Sequence, residues 1–430
     1  MIARPPLPAG PYLVVGLARS GVSAARMLTA HGEVIGCDSG TPEVDLHGVE
    51  VHLGTDGVQL LDRVATVVKS PGVAREATVI AAALGRGMEV TGEIELAWRL
   101  LPNPFLAVTG TNGKTTTVEL LGAIHRAAGM EVAVAGNVGR ALSSLVGSLD
   151  PAATVVCEAS SFQLEDASQL APECAVLLNV EEDHLDRHGD LDRYRDAKLR
   201  AFGHQPSGAV AVAPPRFDLP GSARRVTFGA DGADLLERDG QLMWQGRPLM
   251  AVAELRLRGA HNLENAMAAA AAALATGVPE AGVVEALRTF AGVEHRLEEV
   301  GNPGGVLYVN DSKATNVASA TRGIEAFEGG VHVILGGSLK GGGFSGLRGA
   351  VAARCAAAYL IGEAAPLLEA DLRDTVALHR SGTLERAVAD ASSAAAPGDV
   401  VLLSPACASF DAFRSYEHRG ERFRELVPGE

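Results

Sequence analysis

Short apolar runs alternate with longer amphipathic segments along most of this chain. Near the N-terminus, residues 11–16 read as a buried strand, residues 16–21 open a helix that runs to His31, and residues 34–37 form a second strand. Runs of four to six apolar residues separated by helix-length segments are typical of strands that are covered on both faces in a parallel sheet. The pattern therefore predicts an α/β fold.

The same alternation continues to the C-terminus. Further strands are predicted at 64–68, 104–108, 154–157, 174–179, 306–310, 331–335, 356–361 and 400–403. Helices are predicted at 114–128, around 194–202 and in the alanine-rich stretch 266–275. The pattern is interrupted at 100–104 and changes again at 291–296. Together with a length of 430 residues, these breaks indicate about three domains.

Composition narrows the class of protein. With 47% hydrophobic and 21% charged residues, the chain has the make-up of a well-cored soluble enzyme. A net charge of −15 argues against nonspecific binding to nucleic acid or a membrane surface. The five cysteines form no C-x-x-C pair, which favours reduced, buried thiols. We find no signal peptide and no apolar run long enough to span a bilayer, so we expect a cytoplasmic protein.

The most informative motif is a glycine-bearing turn after the predicted strand 104–108. Gly110 and Gly113 are followed by Lys114 and Thr115 at the start of a helix. In such loops backbone N–H groups and the helix N-terminus face phosphate oxygens, the lysine reaches the outer phosphates and the threonine binds Mg²⁺. The usual spacing would place a glycine at residue 108, so this is either a chance turn or a shortened phosphate loop.

A second glycine motif follows the first strand. Gly16, Ala18 and Gly21 fit the pattern G-x-A-x-x-G, and Asp38 stands twenty-two residues after Gly16 at the end of the next strand. This resembles a dinucleotide-binding fingerprint with alanine in the middle position. A small polar loop, residues 70–72, follows another strand, and ligands of open α/β sheets bind at such edges.

Three further polar residues lie near the ends of predicted strands or in the helix that follows them. Glu158 ends a predicted strand, where a Mg²⁺ ligand belongs, although it is also compatible with a solvated loop glutamate. His184 stands among carboxylates and is either a metal ligand or a surface histidine. Lys198, in the helix around 194–202, would ordinarily be a solvated charge.

The second half of the chain contains further polar residues that could bind a ligand. Asn262 and Asn265 precede the alanine-rich helix and are either helix caps or side chains that pair with an adenine edge. Arg296 lies at the predicted junction, where an arginine can move onto a triphosphate. The segment 310–316 is too polar for a routine turn after an apolar strand.

Taken together, these residues resemble the ATP-dependent Mur ligase family over essentially the whole chain. The family's short phosphate loop matches residues 109–117, and its H-N-x-x-N, H-R and N-D-S-K-A-T-N segments match 261–265, 295–296 and 310–316. Its Glu, His and modified Lys match Glu158, His184 and Lys198. Residues 403–411 are similar to the branch that adds D-glutamate, and the D-N-P-R motif of the diaminopimelate-adding branch is absent.

The resemblance implies three domains: residues 1–92 form a Rossmann-like domain for a UDP-linked substrate, 93–293 a central P-loop mononucleotide-binding α/β domain for ATP, and 294–430 a C-terminal Rossmann-like domain. The last would bind D-glutamate and close on ATP. The implied reaction phosphorylates the carboxylate of UDP-N-acetylmuramoyl-L-alanine with ATP, and D-glutamate then attacks the acyl phosphate. This step belongs to cytoplasmic synthesis of peptidoglycan precursors, and we expect a monomer.

The resemblance also assigns residues to roles. Catalytic residues would be Lys114, Glu158, His184, Lys198 and Arg296. ATP would contact Thr111, Asn112, Gly113, Lys114, Thr115, Thr116, Thr117, Asn262, Asn265, Arg296, Asp311 and Lys313. The UDP-linked substrate would contact Leu17, Ala18, Arg19, Asp38, Ser39, Ser70, Gly72, Asn137, Ser160 and Gln163. D-Glutamate would contact Thr315, Lys340, Ser409, Phe410 and Tyr416. Of two Mg²⁺ ions, one would be held by Thr115 and Glu158, the other by His184 and a carbamylated Lys198.

The chain departs from the family pattern at three places. Ala18 replaces the middle glycine, Tyr416 stands where phenylalanine is frequent, and no acidic residue precedes Lys340. Two other interpretations remain at this point. A ligase similar to folylpolyglutamate synthase would share the central domain but would not explain the N-terminal motif. A nicotinamide-dependent oxidoreductase would explain Gly16 and Asp38 but little else.

Overall fold

The chain divides into two compact units, which are described separately. A computed structural model describes residues 2–257, 259–339 and 342–429. The first unit comprises Met1–Leu255 and His261–Phe290, and the second comprises Arg256–Ala260 and Ala291–Glu430. Lys340, predicted to bind D-glutamate, lies outside the described residues.

The first sheet of the first unit has five parallel strands in the order β3-β2-β1-β4-β5. They are β1 (Tyr12–Val15), β2 (Val34–Asp38), β3 (Glu50–Leu53), β4 (Thr66–Lys69) and β5 (Glu89–Gly92). The helices are α1 (Arg19–Leu28), α2 (Thr78–Gly85) and α3 (Glu93–Leu100). Because Val15 pairs with both Cys37 and Lys69, the loops that follow these three strands leave the sheet at one edge.

The second sheet of this unit has six parallel strands in the order β11-β10-β9-β6-β8-β7. They are β6 (Phe105–Thr109), β7 (Val132–Gly136), β8 (Thr154–Glu158), β9 (Cys174–Leu177), β10 (Val210–Ala213) and β11 (Arg224–Thr227). The helices are α4 (Lys114–Ala127), α5 (Ser161–Leu164), α6 (Leu185–His188), α7 (Leu191–Gly203), α8 (Ala260–Ala275) and α9 (Glu280–Thr289). Strand β6 lies near the centre, and its carboxyl end carries the glycine-bearing turn.

A small antiparallel sheet, which the apolar pattern did not predict, completes the first unit. It consists of β12 (Leu235–Arg238), β13 (Gln241–Trp244) and β14 (Arg247–Ala251). Asp239 and Gly240 join the first two strands, and both have positive φ angles of 53° and 74°. Two such residues favour a tight hairpin, so the Asp-Gly pair was the sequence signal for this sheet.

The second unit is built on one six-stranded sheet in the order β15-β16-β20-β17-β18-β19, with only β15 antiparallel. The strands are β15 (Glu298–Gly301), β16 (Leu307–Asn310), β17 (Val331–Gly336), β18 (Cys355–Ile361), β19 (Ala377–Gly382) and β20 (Val400–Leu403). The helices are α10 (Val317–Glu325), α11 (Arg348–Arg354), α12 (Ala365–Asp371), α13 (Leu384–Ala394) and α14 (Tyr416–Leu426). Apolar clusters cover this sheet on both faces.

The strands predicted from apolar runs are all present, with ends shifted by no more than two residues. In the first unit one apolar core includes residues of both parallel sheets, and Trp98 and Phe105 are among its largest members. All five cysteines are free thiols, as predicted, and all but Cys355 are buried. Among the described residues, no helix combines the length and apolar character needed to cross a bilayer.

A substitution at Gly21 tests how closely α1 approaches the first strand. A Cβ atom there would lie 1.9 Å from the Gly16 carbonyl oxygen and 2.6 Å from Ser70 Oγ. We expect Gly21→Ala to lower the free energy of unfolding by about 2 kcal/mol or more, because neighbouring backbone must move. Gly85→Ala, where a Cβ meets open space, should instead add about 0.5–1 kcal/mol. Urea unfolding of both variants measures the difference, and equal midpoints would contradict this packing.

Candidate active site

The predicted phosphate loop is a tight connection between β6 and α4. Gly113 adopts a left-handed backbone with φ of 83°, and a Cβ atom there would lie 2.0 Å from Asn265 Oδ1. Both backbone conformation and space therefore require glycine at this position. Helix α4 begins at Lys114, so the N–H groups of its first turn face the loop and give it positive potential. The structure thus supports a phosphate cradle rather than an ordinary turn.

Two residues that the sequence analysis missed hold this loop. Asn179 Oδ1 accepts hydrogen bonds from the backbone N–H groups of Thr111 and Asn112, at 3.1 and 2.9 Å. Glu181 Oε2 accepts one from Asn112 Nδ2 at 2.9 Å. Asn179 comes two residues after β9, and its place beyond a strand of the same sheet was the available signal. These contacts fix the loop from the neighbouring strand.

Two lysines converge on a single backbone carbonyl. Lys114 Nζ donates to the Gly110 and Thr111 carbonyl oxygens, both at 2.9 Å, and Lys198 Nζ donates to the Gly110 oxygen at 2.8 Å. Lys198 is only 1% exposed, and its Nζ lies 4.2 Å from the centroid of the Tyr194 ring. The interpretation of Lys198 as a solvated charge is therefore wrong.

This environment favours the uncharged form of Lys198. Burial lowers the pKa of Lys198 to about 6, and the positive charge of Lys114 acts in the same direction, while Asp183 partly opposes both. Removing an ammonium from water is costly, and a second ammonium nearby adds repulsion. At neutral pH the side chain is thus mostly a free amine.

Glu158 is buried at the end of β8, so its interpretation as a solvated loop residue is wrong. It is 2% exposed, and its Oε1 accepts a hydrogen bond from Asn137 Nδ2 at 2.9 Å. Among the described residues, nothing hydrogen-bonds to its Oε2. A buried carboxylate oxygen without a donor suits a hard cation such as Mg²⁺. Val108 pairs with Glu158 between β6 and β8, which places it at the same sheet edge as the phosphate loop.

His184 lies in the acidic loop after β9. Its backbone has a φ of 53°, its side chain is 48% exposed, and its ring centroid lies 4.8 Å from that of Phe162. Within the described part of the chain, no three His, Cys, Asp or Glu side chains are grouped as a metal site. Only two of the four predicted metal ligands, Glu158 and His184, are residues of these types. The predicted ligands therefore do not form such a group.

The predicted UDP residues lie at the common edge of β1, β2 and β4. Asp38 Oδ2 accepts from the Leu17 N–H at 2.7 Å, and Ser70 Oγ donates to the Gly16 carbonyl oxygen at 2.6 Å. Ala18 has an extended backbone, so glycine is not needed there. The other three predicted residues are exposed at this edge: Arg19, Ser39 and Gly72.

The predicted muramoyl-binding residues also shape the local backbone. Asn137 N–H donates to the Glu158 carbonyl oxygen at 2.9 Å. Ser160 caps α5, and Gln163 closes the capping box by accepting from the Ser160 N–H at 3.0 Å. These side chains are therefore held in place beside the end of β8.

Asn262 and Asn265 lie inside α8 and are buried, so their interpretation as helix caps is wrong. Asn265 Nδ2 donates to Asn262 Oδ1 at 3.3 Å. The contact of Asn265 with Gly113 places this pair directly against the phosphate loop. Thr115, Thr116 and Thr117 are likewise buried, in the first turn of α4.

In the second unit, Asp311 follows β16 and is buried. Its Oδ2 accepts from Ser404 Oγ at 2.7 Å, and its Oδ1 accepts from the Leu297 N–H at 3.3 Å. Burial raises the pKa of Asp311 to about 7, although Ser404 and nearby Arg296 lower it in part. Lys313 Nζ lies 5.8 Å from the centroid of the Tyr416 ring.

A buried arginine on α14 organises this part of the second unit. Arg419 is fully buried and donates to the Ser312 hydroxyl and carbonyl oxygens at 3.0 and 2.9 Å, and to the Cys407 and Ala408 carbonyl oxygens, both at 3.1 Å. Burial lowers the pKa of Arg419 to about 10. The polar sequence of α14 gave no sign of this role.

The predicted D-glutamate residues differ in exposure. Ser409 is 2% exposed, Thr315 and Tyr416 are half-buried, and Phe410 is 74% exposed. The Tyr416 carbonyl oxygen accepts from Ser312 Oγ at 2.8 Å. Ser312 Oγ therefore bonds to both Tyr416 and Arg419, which lie one turn apart on α14.

Family models match three segments of the chain. Residues 11–92 match the model for the Mur ligase MurD-like N-terminal domain, residues 108–273 the Mur ligase middle domain, and residues 295–407 the Mur ligase glutamate ligase domain. The chain belongs to the Mur ligase family. The N-terminal match covers the motif that a folylpolyglutamate synthase-like ligase would leave unexplained, and the family excludes the oxidoreductase interpretation.

Similar Mur ligases are known at the levels of sequence and structure. UDP-N-acetylmuramoylalanine–D-glutamate ligases from Acidobacterium capsulatum and Pseudomonas fluorescens are 40% and 42% identical to this chain; each match covers 96% of it, and 95% and 97% of the respective relative. UDP-N-acetylmuramate-alanine ligase from Thermotoga maritima shares its fold, with a TM-score of 0.59, 18% identity and coverage of 97% and 99%. MurF ligase from the same organism, in complex with ADP, gives a TM-score of 0.58 at 20% identity, with coverage of 92% and 87%. The predicted three-domain α/β fold is confirmed.

The neutral state of Lys198 predicts a pH dependence of stability. The folded amine loses its proton near pH 6, whereas an unfolded lysine keeps it up to about pH 10.5. Between these values the unfolded chain binds more protons, so Lys198 makes stability rise with pH. In CO₂-free buffer, wild type should therefore gain stability relative to Lys198→Met between pH 6.5 and 9. Urea unfolding at several pH values measures this difference. The matched control is Arg195→Met on the exposed side of α7, and a flat difference for Lys198→Met would contradict the neutral amine.

Proposed function

We propose that this protein is a ligase that joins D-glutamate to the L-alanyl carboxylate of UDP-N-acetylmuramoyl-L-alanine and converts ATP to ADP and phosphate. It would act as a monomer in the cytoplasm, in the synthesis of peptidoglycan precursors. The observation that carries the proposal is geometric: the buried Lys198 shares the Gly110 carbonyl oxygen with Lys114 of the phosphate loop. Relatives at 40–42% identity that bear this ligase name support it.

Phosphoryl transfer is assigned to the phosphate loop. The N-terminus of α4 and the backbone from Thr111 to Thr117 would bind the phosphates of ATP, with Lys114 at the outer ones. In this structure Lys114 Nζ bonds to carbonyl oxygens of its own loop. A phosphate oxygen would replace these weaker acceptors, since charge-assisted hydrogen bonds are the stronger ones. This arrangement stabilises charge as the γ-phosphoryl group moves to the substrate carboxylate.

Lys198 is suited to carbamylation. A neutral amine is the form that attacks the carbon of CO₂; the new N–C bond forms, one proton leaves, and a carbamate anion remains. The carbamate offers two oxygens where an ammonium would repel a cation. Mg²⁺ would be held by Thr115 and Glu158 at one position, and by His184 and the Lys198 carbamate at another, and it would offset the negative charge of the phosphates.

The remaining residues are assigned to the substrates that they would bind. The uridine diphosphate is assigned to the common edge of β1, β2 and β4, and the muramoyl group to Asn137, Ser160 and Gln163. Asn262 and Asn265 would contact adenine, and Arg296, Asp311 and Lys313 the rest of ATP. D-Glutamate is assigned to Thr315, Lys340, Ser409, Phe410 and Tyr416. Its amine would attack the acyl phosphate, and the tetrahedral adduct would expel phosphate, so no covalent enzyme intermediate is needed.

The direct test is release of phosphate from ATP by the purified protein. Phosphate release should require both UDP-N-acetylmuramoyl-L-alanine and D-glutamate, and mass spectrometry should find the joined product. We expect Lys114→Ala to lower turnover at least about 100-fold, because one positioned donor to a developing charge contributes a factor of this size. Its thermal unfolding should stay near wild type, since the Lys114 side chain is only partly buried. Turnover without D-glutamate, or wild-type turnover of the variant, would contradict the proposal.

Chemical rescue tests the carbamate. Lys198→Ala should be nearly inactive, and acetate or formate should partly restore it by supplying an anionic oxygen in the vacated space. Lys198→Arg should respond much less, because a guanidinium fills this space with a fixed positive charge. Steady-state turnover with and without added carboxylate measures the effect. Substantial activity of Lys198→Ala without any carboxylate would contradict carbamylation.

A further inference from the structure

A buried ionic cluster lies between the two parallel sheets of the first unit, and no role has been assigned to it above. It consists of Lys69, Glu165, Asp166 and Arg187, called here the Glu165 cluster. Lys69 ends β4, and its side chain is fully buried. Its Nζ donates to Glu165 Oε1 at 2.9 Å and to the Val73 carbonyl oxygen at 3.1 Å, and it lies 2.8 Å from Asp166 Oδ2.

This contact set matches the chemistry of an ammonium. Lys69 Nζ has three N–H donors and three acceptors around it, one from each neighbouring group. A guanidinium is planar, larger and fixed in a fork, so it would not fit the same three directions. The site therefore selects lysine by shape as well as by charge.

The composition of the chain also indicates that position 69 specifically requires a lysine. Only five of its 37 basic residues are lysines: Lys69, Lys114, Lys198, Lys313 and Lys340. The last four are all assigned to binding or catalysis by the proposed function. In a chain that uses arginine almost everywhere else, Lys69 is the remaining lysine, and it lies at the end of β4.

Arg187 donates to two of the acceptors that Lys69 uses, the Val73 carbonyl oxygen and Glu165 Oε1. Its Nη2 donates to the Val73 carbonyl oxygen, to the Pro71 carbonyl oxygen at 3.3 Å and to Glu165 Oε1 at 3.2 Å. Its guanidinium lies 4.8 Å from the centroid of the Phe162 ring, and that ring contacts His184. One chain of contacts thus joins the loop after β4 to the predicted metal ligand.

We propose that Lys69 is a positioning residue of the ligase, which holds the loop 70–73 in register with the catalytic residues of the central sheet. The inference rests on the proposed function, because this loop is where the UDP-linked substrate is assigned. Lys69 and Arg187 draw the carbonyl oxygens of residues 71 and 73 towards the cluster. Ser70 is meanwhile bonded to Gly16. The loop is therefore fixed at both ends without any substrate contact from Lys69 itself.

Stability alone does not account for such a cluster. A buried ion pair is often no more stabilising than apolar or neutral side chains of the same volume, whereas removal of one partner is costly because the other charge stays buried. A single variant at Lys69 can thus fail by unfolding. A variant that neutralises Lys69, Glu165 and Asp166 together leaves none of these three charges buried alone. Arg187 loses Glu165 but is 16% exposed and keeps the Pro71 and Val73 carbonyl oxygens as acceptors. This variant therefore separates positioning from folding.

The experiment compares Lys69→Met with the triple variant Lys69→Met, Glu165→Gln and Asp166→Asn. Circular dichroism and thermal unfolding identify the folded proteins, and steady-state assays give KM for UDP-N-acetylmuramoyl-L-alanine, ATP and D-glutamate. In the folded triple variant we expect KM for the UDP-linked substrate to rise about tenfold, the equivalent of one lost positioning contact. KM for ATP should stay within about a factor of two, because the partners of Lys69 and Arg187 in the cluster are residues 71, 73, 165 and 166, which lie outside the phosphate loop. Arg195→Met, on the exposed side of α7, is the matched control and should change neither constant.

The outcomes are distinguishable. A folded triple variant with wild-type KM for all three substrates would overturn the positioning role and leave the proposed function intact. An equal rise in the KM values of ATP and the UDP-linked substrate would overturn it as well, since it would show a general structural effect. A wild-type protein without ligase turnover would overturn the proposed function, and this inference with it.

Discussion

One backbone carbonyl, that of Gly110, accepts hydrogen bonds from two lysine side chains, and the chemistry of the first unit depends on this crowding. Two ammonium groups cannot both remain charged at one acceptor away from water without a large cost. The half-buried partner, Lys114, begins α4 and can meet phosphate. The buried partner, Lys198, loses its proton and becomes a nucleophilic amine. Two residues of the same type thus acquire different roles, chiefly because one of them is buried.

The position of that carbonyl follows from the short loop. With Gly110 three residues before Gly113, the chain turns immediately from β6 into α4, and Asn179 holds the turn from the next strand. The Gly110 oxygen faces the side of the sheet where α7 packs, and Lys198 reaches it from there. The unusual spacing therefore has a structural consequence, because it brings a second helix into the phosphate loop.

Much of this architecture could be predicted from the sequence. Parallel strands that are covered on both faces must be apolar throughout, so short apolar runs predicted their positions. Polar motifs at the ends of these runs predicted the candidate site. The burial of Lys198 was not predicted from its own sequence position, although the apolar residues Ala197, Ala201 and Phe202 of the same helix, all buried, were the available signal. The Glu165 cluster and Arg419 could not be predicted. Their contacts join residues about a hundred positions apart, and neither periodicity nor motif spacing reports such pairings.

The buried basic side chains of both units make the same kind of contact. Lys69, Lys198 and Arg419 each donate to backbone carbonyl oxygens that lie in loops just beyond the ends of parallel strands. These loops cannot pair with one another as strands do, so their carbonyl groups need other donors. A buried basic side chain supplies several donors at once and ties two or three loops together. The sheet edges to which ligands are assigned in the proposed function are thereby held rigid.

Because Arg419 donates to these loops, the last helix of the second unit is part of that unit's interior. Helix α14 contributes only Arg419, Gly420 and Phe423 to the buried surface, and its sequence is that of a polar tail. A stop codon just before Ser415 would nevertheless remove the guanidinium and leave the Ser312, Cys407 and Ala408 oxygens buried without their donor. Loss of α14 would therefore dismantle the loops around Ser312 and Ser409.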